Sequence, residues 1–409
     1  MAVRTPTLTF LAQNARWLGA GALLSFCSSF GQTFFIALSG PAIQADLGLS
    51  HGQWGGVYTA ATVASALALT FSGGLADRFR VRALAALTLA LLATAAVSMA
   101  LVAGALGLGL TVFALRLLGQ GWCSHLAFTA MGRWFSAQRG RAVALAAMGF
   151  SLGEATLPAA FVHASAALGW RGTWLAAAGL LVLCVPPLLW LLSRERTPRQ
   201  IAEADSTAGM MGRHWTRAQA LRHWTFWALA PGLLAPPFIG TAVFFHSAHL
   251  AQVKGWSLAT VAAAFPAYSL ATVLCSFAAA WAVDRFGARR LLPFYQAPLG
   301  AGVLLLALWD APAAVFAGLA LLGVTQGAAV AVLGALWPEV YGTRHIGAIR
   351  GTAVSMMVFA TAVGPGLTGA LLDARVGVEA QFAALSLWAL ATCLFYWAVA
   401  ARIRAAMAA

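Results

Sequence analysis

The sequence predicts an all-α membrane protein with twelve transmembrane helices in two pseudo-symmetric bundles of six. Apolar residues make up 61% of its 409 residues and charged residues only 9%, whereas a soluble domain is about half apolar and a quarter charged. The apolar residues form long runs without strict alternation, which favours helices over membrane strands. Cations and short motifs recur along the chain in a pattern that supports the same architecture.

Twelve apolar runs approach the roughly 20 residues that a helix needs to cross about 30 Å of hydrocarbon. They are separated by short polar or glycine-containing breaks. We predict spans near residues 17–38, 52–75, 83–104, 108–130, 141–164, 170–192, 223–248, 258–282, 288–309, 312–337, 348–372 and 378–402.

The cations are distributed unevenly between the predicted loops. A formal net charge of +14 would suggest nucleic-acid binding in a soluble protein, but 21 of the 25 Lys and Arg residues fall on one side of the predicted spans. Arg171, Lys254 and Arg375 fall on the other side. Such a bias marks the cytoplasmic side, so we expect both termini in the cytoplasm and no nucleic-acid partner. The strong preference for Arg over Lys, with abundant Ala and Gly, is typical of a GC-rich bacterium and suggests an inner-membrane location.

The chain also contains an internal repeat. Its longest polar stretch, 193–222, divides it into a first bundle, 1–192, and a second bundle, 223–409, with the stretch itself as a cytoplasmic linker. Three features recur at an offset of 206 or 207 residues, as expected for parallel six-helix repeats. They are Asp77-Arg78-Phe79 with Asp284-Arg285-Phe286, the helix-capping candidates Ser50 with Ser257, and Gln120-Gly121 with Gln326-Gly327.

The loop after the second span carries a family resemblance. Residues 73–82 read GGLADRFRVR, which resembles the major facilitator signature G-x-L-A-D-R-x-G-R-R, and residues 284–290, DRFGARR, match its later half. The resemblance implies a secondary transporter that works by alternating access, with residues 1–192 rocking against 223–409 around a site near mid-membrane. It further implies a conformational lock formed by Asp77, Arg78, Asp284 and Arg285.

A narrower resemblance covers about 20 residues at the junction of spans four and five. It is similar to the corresponding region of monocarboxylate and oxalate/formate transporters, and it implies a small organic anion as substrate. The residues that carry it are Trp134-Phe135, Arg139-Gly140-Arg141-Ala142, Ala146, Gly149 and Gly153.

Two charges lie far from the ends of their predicted spans. Charges in hydrocarbon cost about 2.5–3.5 kcal/mol each on insertion scales, so we expect each to have a structural or functional role. At ~1.5 Å per residue, Arg116 lies roughly 12 Å below the periplasmic end of span four and Glu154 about 20 Å above the cytoplasmic end of span five. These depths nearly coincide, so we expect the two side chains to meet. Glu154 would carry a coupled proton, with Arg116 as its counter-charge and as a ligand for an anionic substrate. The alternative is a static ion pair between the two helices.

Further polar and aromatic residues are candidates for the substrate site. Gln120 and Ser124 follow Arg116 at four-residue steps and therefore share its helix face, unless they serve interhelical hydrogen bonding. Gln326 is their counterpart in the second half, and Tyr58 and Tyr268 are candidates for contact with an aromatic ligand or for interfacial anchoring. His246 and His249, near the periplasmic end of span seven, would either gate the outer mouth or sense pH, or merely lie at the interface.

Several function classes remain as alternatives to a proton–anion symporter. Because Arg116 and Glu154 together carry no net charge, a proton-driven exporter of a drug, or an importer of a neutral or zwitterionic metabolite, is the nearest rival. A non-transporting membrane receptor is another. No nucleophile–base pair or metal spacing stands out, so we expect no enzyme, no cofactor and no metal. The expected partners are a small-molecule substrate, protons and the lipid bilayer, and we expect a monomer.

Overall fold

A computed structural model describes residues 6–73, 75–135, 139–193, 209–342 and 344–408. The described residues are almost entirely helical, and they contain no strand. Twelve helical segments, α1–α12, lie at the twelve predicted spans. In the first half they are α1 (Pro6–Ser28), α2 (His51–Ser72), α3 (Val81–Leu101), α4 (105–134), α5 (139–168) and α6 (170–191). In the second half they are α7 (Trp224–Phe245), α8 (Leu258–Phe286), α9 (Ala297–Leu308), α10 (Ala313–Tyr341), α11 (Ile346–Asp373) and α12 (Val378–Ala408).

Four of the twelve spans depart from a single straight helix of full length. α5 and α6 run on without a loop, and they are separated only by Gly169, whose φ of 68° lies in the left-handed region. α9 has only 12 residues, although a short helix, Ala288–Leu291, precedes it. The first span is broken, because a short irregular stretch follows α1 and the helical residues beyond it, Thr33–Leu47, bend away by 45°.

Helix α4 contains a widened turn. The residues Arg116–Cys123 form a π-helix between two α-helical segments, Ala105–Leu115 and Ser124–Trp134. Such turns are rare and are often found at functional sites. A π-helix needs more residues per turn than an α-helix, so side chains four residues apart in this stretch no longer lie directly above one another.

Helix α7 stays continuous despite its prolines. Pro236 and Pro237 lie inside it, and Pro236 cannot donate a hydrogen bond to the carbonyl of Gly232 one turn earlier. The Gly232 carbonyl instead accepts hydrogen bonds from two side chains outside the helix. The Tyr295 hydroxyl donates to it at 2.8 Å and the Gln296 side-chain amide at 2.9 Å. The helix is thus stabilised by partners that sequence pattern alone does not show.

Close glycine contacts hold equivalent helix pairs together in the two halves. A Cβ atom at Gly149 on α5 would lie only 1.8 Å from the carbonyl oxygen of Ala22 on α1. One at Gly364 on α11 would lie 2.8 Å from the carbonyl oxygen of Phe238 on α7. Small residues at helix interfaces let the backbones approach closely, which drives association in lipid.

Both predicted helix N-caps are confirmed. The Ser50 hydroxyl accepts a hydrogen bond from the Gln53 amide at 3.1 Å at the start of α2. The Ser257 hydroxyl accepts one from the Thr260 amide at 3.0 Å at the start of α8. These equivalent caps satisfy backbone N–H groups that the first turn leaves without partners.

The chain divides into two compact units. The first contains Met1–Ala42 with Ala60–Ala204, and the second contains Ile43–Thr59 with Asp205–Ala409. The short segment Ile43–Thr59, which includes the start of α2, therefore groups with α7–α12. Half of the predicted linker at 193–222 lies outside the described residues; within its described part, Thr216 caps a short helix, Arg217–Arg222.

Candidate substrate and proton site

The first unit buries both intramembrane charges that the sequence singled out. Arg116 is only 1% exposed and Glu154 only 4%. Arg116 begins the π-helical turn of α4, while Glu154 lies on α5 directly after Gly153, which packs against Ser29 in the broken part of the first span. Both groups are therefore removed from lipid and water.

The expected meeting of the two charges is not observed. The Arg116 guanidinium donates through Nη1 to the Gly31 carbonyl oxygen at 3.2 Å and to the Thr33 hydroxyl at 3.4 Å. Among the described residues, Glu154 takes part in no ion pair and no hydrogen bond. The break in the first span explains the difference, because it exposes a backbone carbonyl and a hydroxyl as alternative acceptors for the arginine.

The break in the first span fits against the widened turn of α4. A Cβ atom at Gly31 would lie 2.1 Å from the Leu115 carbonyl oxygen, and one at Gly119 would lie 2.6 Å from the Gly31 backbone. Irregular backbone at membrane depth is tolerated where it is buried in protein or lines a cavity. The two irregular segments thus position Arg116 together.

Additional polar groups of the first unit lie on α1, in the break after it and on α2, and the sequence analysis missed them. The hydroxyls of Ser25, Ser29 and Thr62 are buried and have no hydrogen-bond partner among the described residues. Unsatisfied buried hydroxyls are uncommon in native proteins and need an explanation such as water or a ligand. Small hydroxyl residues in apolar runs resemble ordinary helix-packing residues, so only their missing partners distinguish them. The predicted ligands Gln120 and Ser124 are partly buried on α4.

The second unit contains its own set of candidates. Tyr268 is buried on α8, where its ring contacts Phe244 edge to face at 5.2 Å. The neighbouring Ser269 hydroxyl, and that of Thr325 on α10, are buried without a hydrogen-bond partner among the described residues. Gln326 is exposed in the middle of α10, where facing lipid would be costly for its amide. A polar group at this position is better accommodated beside water or a substrate.

Tyr58 has a packing role that competes with a substrate role. It is fully buried, and its ring lies 4.8 Å from that of Phe245, which in turn stacks on Trp54 at 5.2 Å. These three rings belong to the second unit. Tyr58 therefore belongs first to an aromatic cluster, and its role as a ligand stays a prediction.

The described residues include only part of the predicted conformational lock. The side chains of Asp77 and Arg78 lie outside the described residues, although their backbone forms a helical turn, Leu75–Arg78. In the second copy Asp284 is exposed, and Arg285 lies over the ring of Trp281. The ion pair observed nearby joins Arg289 to Glu339 of α10 at 3.1 Å.

Glu339 was not a sequence candidate. Its second oxygen accepts the Ala288 backbone N–H at 3.1 Å, so one carboxylate holds the loop after α8 through two bonds. Its position near the end of an apolar run is typical of an interfacial charge.

A family comparison identifies this architecture. The model of the Major Facilitator Superfamily matches residues 21–266 and 238–406, which together cover most of the chain. The chain belongs to the major facilitator superfamily. Membership makes it a multi-pass membrane transporter and not an enzyme, and it agrees with the twelve-helix fold. No curated protein matches the chain.

Solved structures show the same fold at low sequence identity. A bacterial homolog of the human lysosomal transporter Spinster, in an inward-facing and unoccupied conformation, is 18% identical with a TM-score of 0.70, and 97% of each chain is covered. Its inward-facing, occupied structure is 16% identical with a TM-score of 0.69, covering 98% of this chain and 97% of that one. The nucleoside transporter NupG is 12% identical with a TM-score of 0.65, covering 95% of this chain and 99% of that one.

Proposed function

We propose that this major facilitator protein is a proton-coupled secondary transporter of a small organic anion, such as a monocarboxylate. Glu154 would carry the proton, and Arg116 would recognise the anionic group. The observation that carries the proposal is a carboxyl group buried in the first unit, with neither a cation nor a hydrogen-bond donor beside it among the described residues.

The isolation of Glu154 favours a titrating role over a static one. A fixed interhelical ion pair would need Arg116 within about 4 Å, and the structure instead directs the Nη1 donor of Arg116 to Gly31 and Thr33. A buried carboxyl without a counter-charge is held at lower cost in its protonated form. Glu154 can therefore take up a proton when its surroundings are closed and release it when water or a cation reaches it.

Arg116 supplies the complementary half of the mechanism. A guanidinium keeps its charge at every physiological pH and binds a carboxylate through paired N–H donors. An anion bound there and a proton on Glu154 would cross together, moving little net charge against the membrane potential. The buried hydroxyls of Ser25, Ser29 and Thr62 are candidate donors to the same substrate.

A substrate panel tests this function. Purified protein in liposomes is assayed for counterflow of small carboxylic acids, amines and neutral metabolites, with and without an imposed pH gradient. One pH unit stores about 1.4 kcal/mol per proton, so we expect a small carboxylic acid to accumulate up to about tenfold. Protein-free liposomes correct for passive entry of the protonated acid.

The same panel separates the rival functions. Transport restricted to amines would favour an exporter of drug-like cations. Transport of neutral or zwitterionic metabolites, with no flux of acids, would reject the proposed substrate class. Acid transport that ignores the pH gradient would reject the proton coupling.

A further inference from the structure

Three histidines meet near the start of α2, which is predicted to be the periplasmic end. The His51 ring centroid lies 4.4 Å from that of His249 and 6.4 Å from that of His246. His246 is 3% exposed and its Nε2 lies 3.4 Å from the Pro365 carbonyl oxygen. All three belong to the second unit. We call them the histidine cluster; His51 was not a sequence candidate.

The histidine cluster lies beside a close contact between the start of α2 and α11. A Cβ atom at Gly55 would lie 2.5 Å from the Pro365 carbonyl oxygen, and one at Gly369 would lie 2.5 Å from the His51 carbonyl oxygen. The Thr59 hydroxyl donates to the Ala362 carbonyl at 2.6 Å. At these two glycines there is no room for a side chain between the two backbones.

An acidic residue, Asp373, adds hydrogen bonds between the start of α2 and the end of α11. Asp373, at the end of α11, accepts the Ser50 hydroxyl at 2.6 Å and the Gly52 amide at 2.9 Å. At the apolar end, the rings of Trp54 and Tyr58 pack on Phe245. A polar layer and an aromatic layer therefore lie one to about two helical turns apart along residues 51–58.

We propose that the contact between residues 50–59 and α11 is a pH-sensitive latch, which is closed when the histidine cluster is neutral and released when the cluster takes up protons. In a carrier that rocks its two halves, this segment of the first half has to separate from the helices of the second half. The inference goes beyond the proposed function and requires neither a particular substrate nor a coupled proton.

The sign of the response follows from burial. His246 and His249 come after the spanning segment of α7. Burial lowers the pKa of His246 to about 3, and it also lowers the pKa of His249. The like-charged His51 lowers both further. Released histidines would titrate near ~6.5, so the closed latch binds fewer protons than the open one. Its stability is therefore full above about pH 6.5 and is lost as the pH falls.

Other charges surround the histidine cluster without reversing this sign. The Gln44 amide lies 3.2 Å from His51 Nδ1, so the group directly facing that ring from the extension of the first span is neutral. The Asp373 carboxylate is already engaged by Ser50 and Gly52. The remaining charged groups at this end of the packed elements are Asp46, Arg375 and Lys254, the last of which pairs with Asp310 and Glu379. Arg350 lies near the opposite end of α11.

Distance measurement between spin labels tests the latch. Nitroxides are attached at Ala45→Cys and Ala380→Cys, both exposed positions, in a full-length background with the five native cysteines replaced by serine. The released state takes up one proton that the closed state does not. The ratio of the population at the open distance to that at the closed distance should therefore rise about tenfold between pH 7.5 and 5.5.

Matched variants decide whether the histidine cluster is responsible. The triple change His51→Gln, His246→Gln and His249→Gln keeps hydrogen-bonding groups but removes titration, so the response should fall below about twofold. His163→Gln, at an exposed histidine of α5, should retain the full response. The single change His249→Gln, at a half-buried ring, gives an intermediate response and serves if the triple variant does not fold. An unresponsive parent protein, or a full response in the histidine variants, would overturn the proposal.

Discussion

Replacing Glu154 by glutamine should abolish accumulation of the substrate acid while leaving its exchange measurable. Glutamine keeps the size and polarity of the side chain but cannot take up and release a proton. With a gradient of one pH unit, the parent protein should accumulate the acid up to about tenfold, and the variant should stop near equal concentrations. Uptake and counterflow of labelled acid in proteoliposomes measure the two activities separately.

Two further variants make the result specific. Glu154→Asp retains a titratable carboxyl and should recover part of the accumulation. Glu379→Gln makes the same chemical change at an exposed acid that pairs with Lys254, and it should accumulate normally. If Glu154→Gln accumulated the acid as well as the parent, the coupled proton would have to be carried elsewhere.

Replacing Gly149 by alanine should severely destabilise the first unit. The new Cβ would lie 1.8 Å from the Ala22 carbonyl oxygen, and that atom belongs to backbone that cannot rotate away. Forcing α1 and α5 apart is an extreme case of overpacking, which costs about 1–3 kcal/mol at ordinary core sites and more at some. We expect a loss of about 3 kcal/mol or more, together with poor yield of monodisperse protein.

Gly179→Ala provides the matched control. A Cβ atom at Gly179 on α6 would meet nothing within 4 Å, and alanine favours helix over glycine by about 1 kcal/mol. Thermal unfolding in detergent should therefore show an unchanged or raised midpoint for Gly179→Ala and a strongly lowered one for Gly149→Ala. Equal midpoints for the two variants would show that the close contact with Ala22 is not needed for stability.

The fold was accessible from the sequence because lipid imposes strong constraints. Long apolar runs, the distribution of arginines and the repeated loop motifs each reflect a membrane rule that hardly depends on tertiary detail. The capping residues Ser50 and Ser257 were also predictable, because a cap acts within its own first turn. The membrane rules also explain why the twelve predicted spans correspond to the twelve observed helical segments.

Contacts between distant helices were much harder to predict. The comparison of depths placed Arg116 and Glu154 at similar levels, but it could not show that a break near Gly31 would offer Arg116 other acceptors. The four-residue spacing of Gln120 and Ser124 assumed an α-helix, whereas the structure has a π-helical turn there. His51 and Glu339 gained their significance only from partners about 200 and 50 residues away in the chain.

The central claim is that one proton moves with each substrate anion through Glu154. Parallel measurement of acid uptake and of proton entry, with a pH-sensitive dye trapped in proteoliposomes, tests it most directly. We predict that addition of the anion to the outside drives about one proton inward per anion, and that Glu154→Gln removes the proton movement. Anion uptake by the parent protein without any proton entry would contradict the claim.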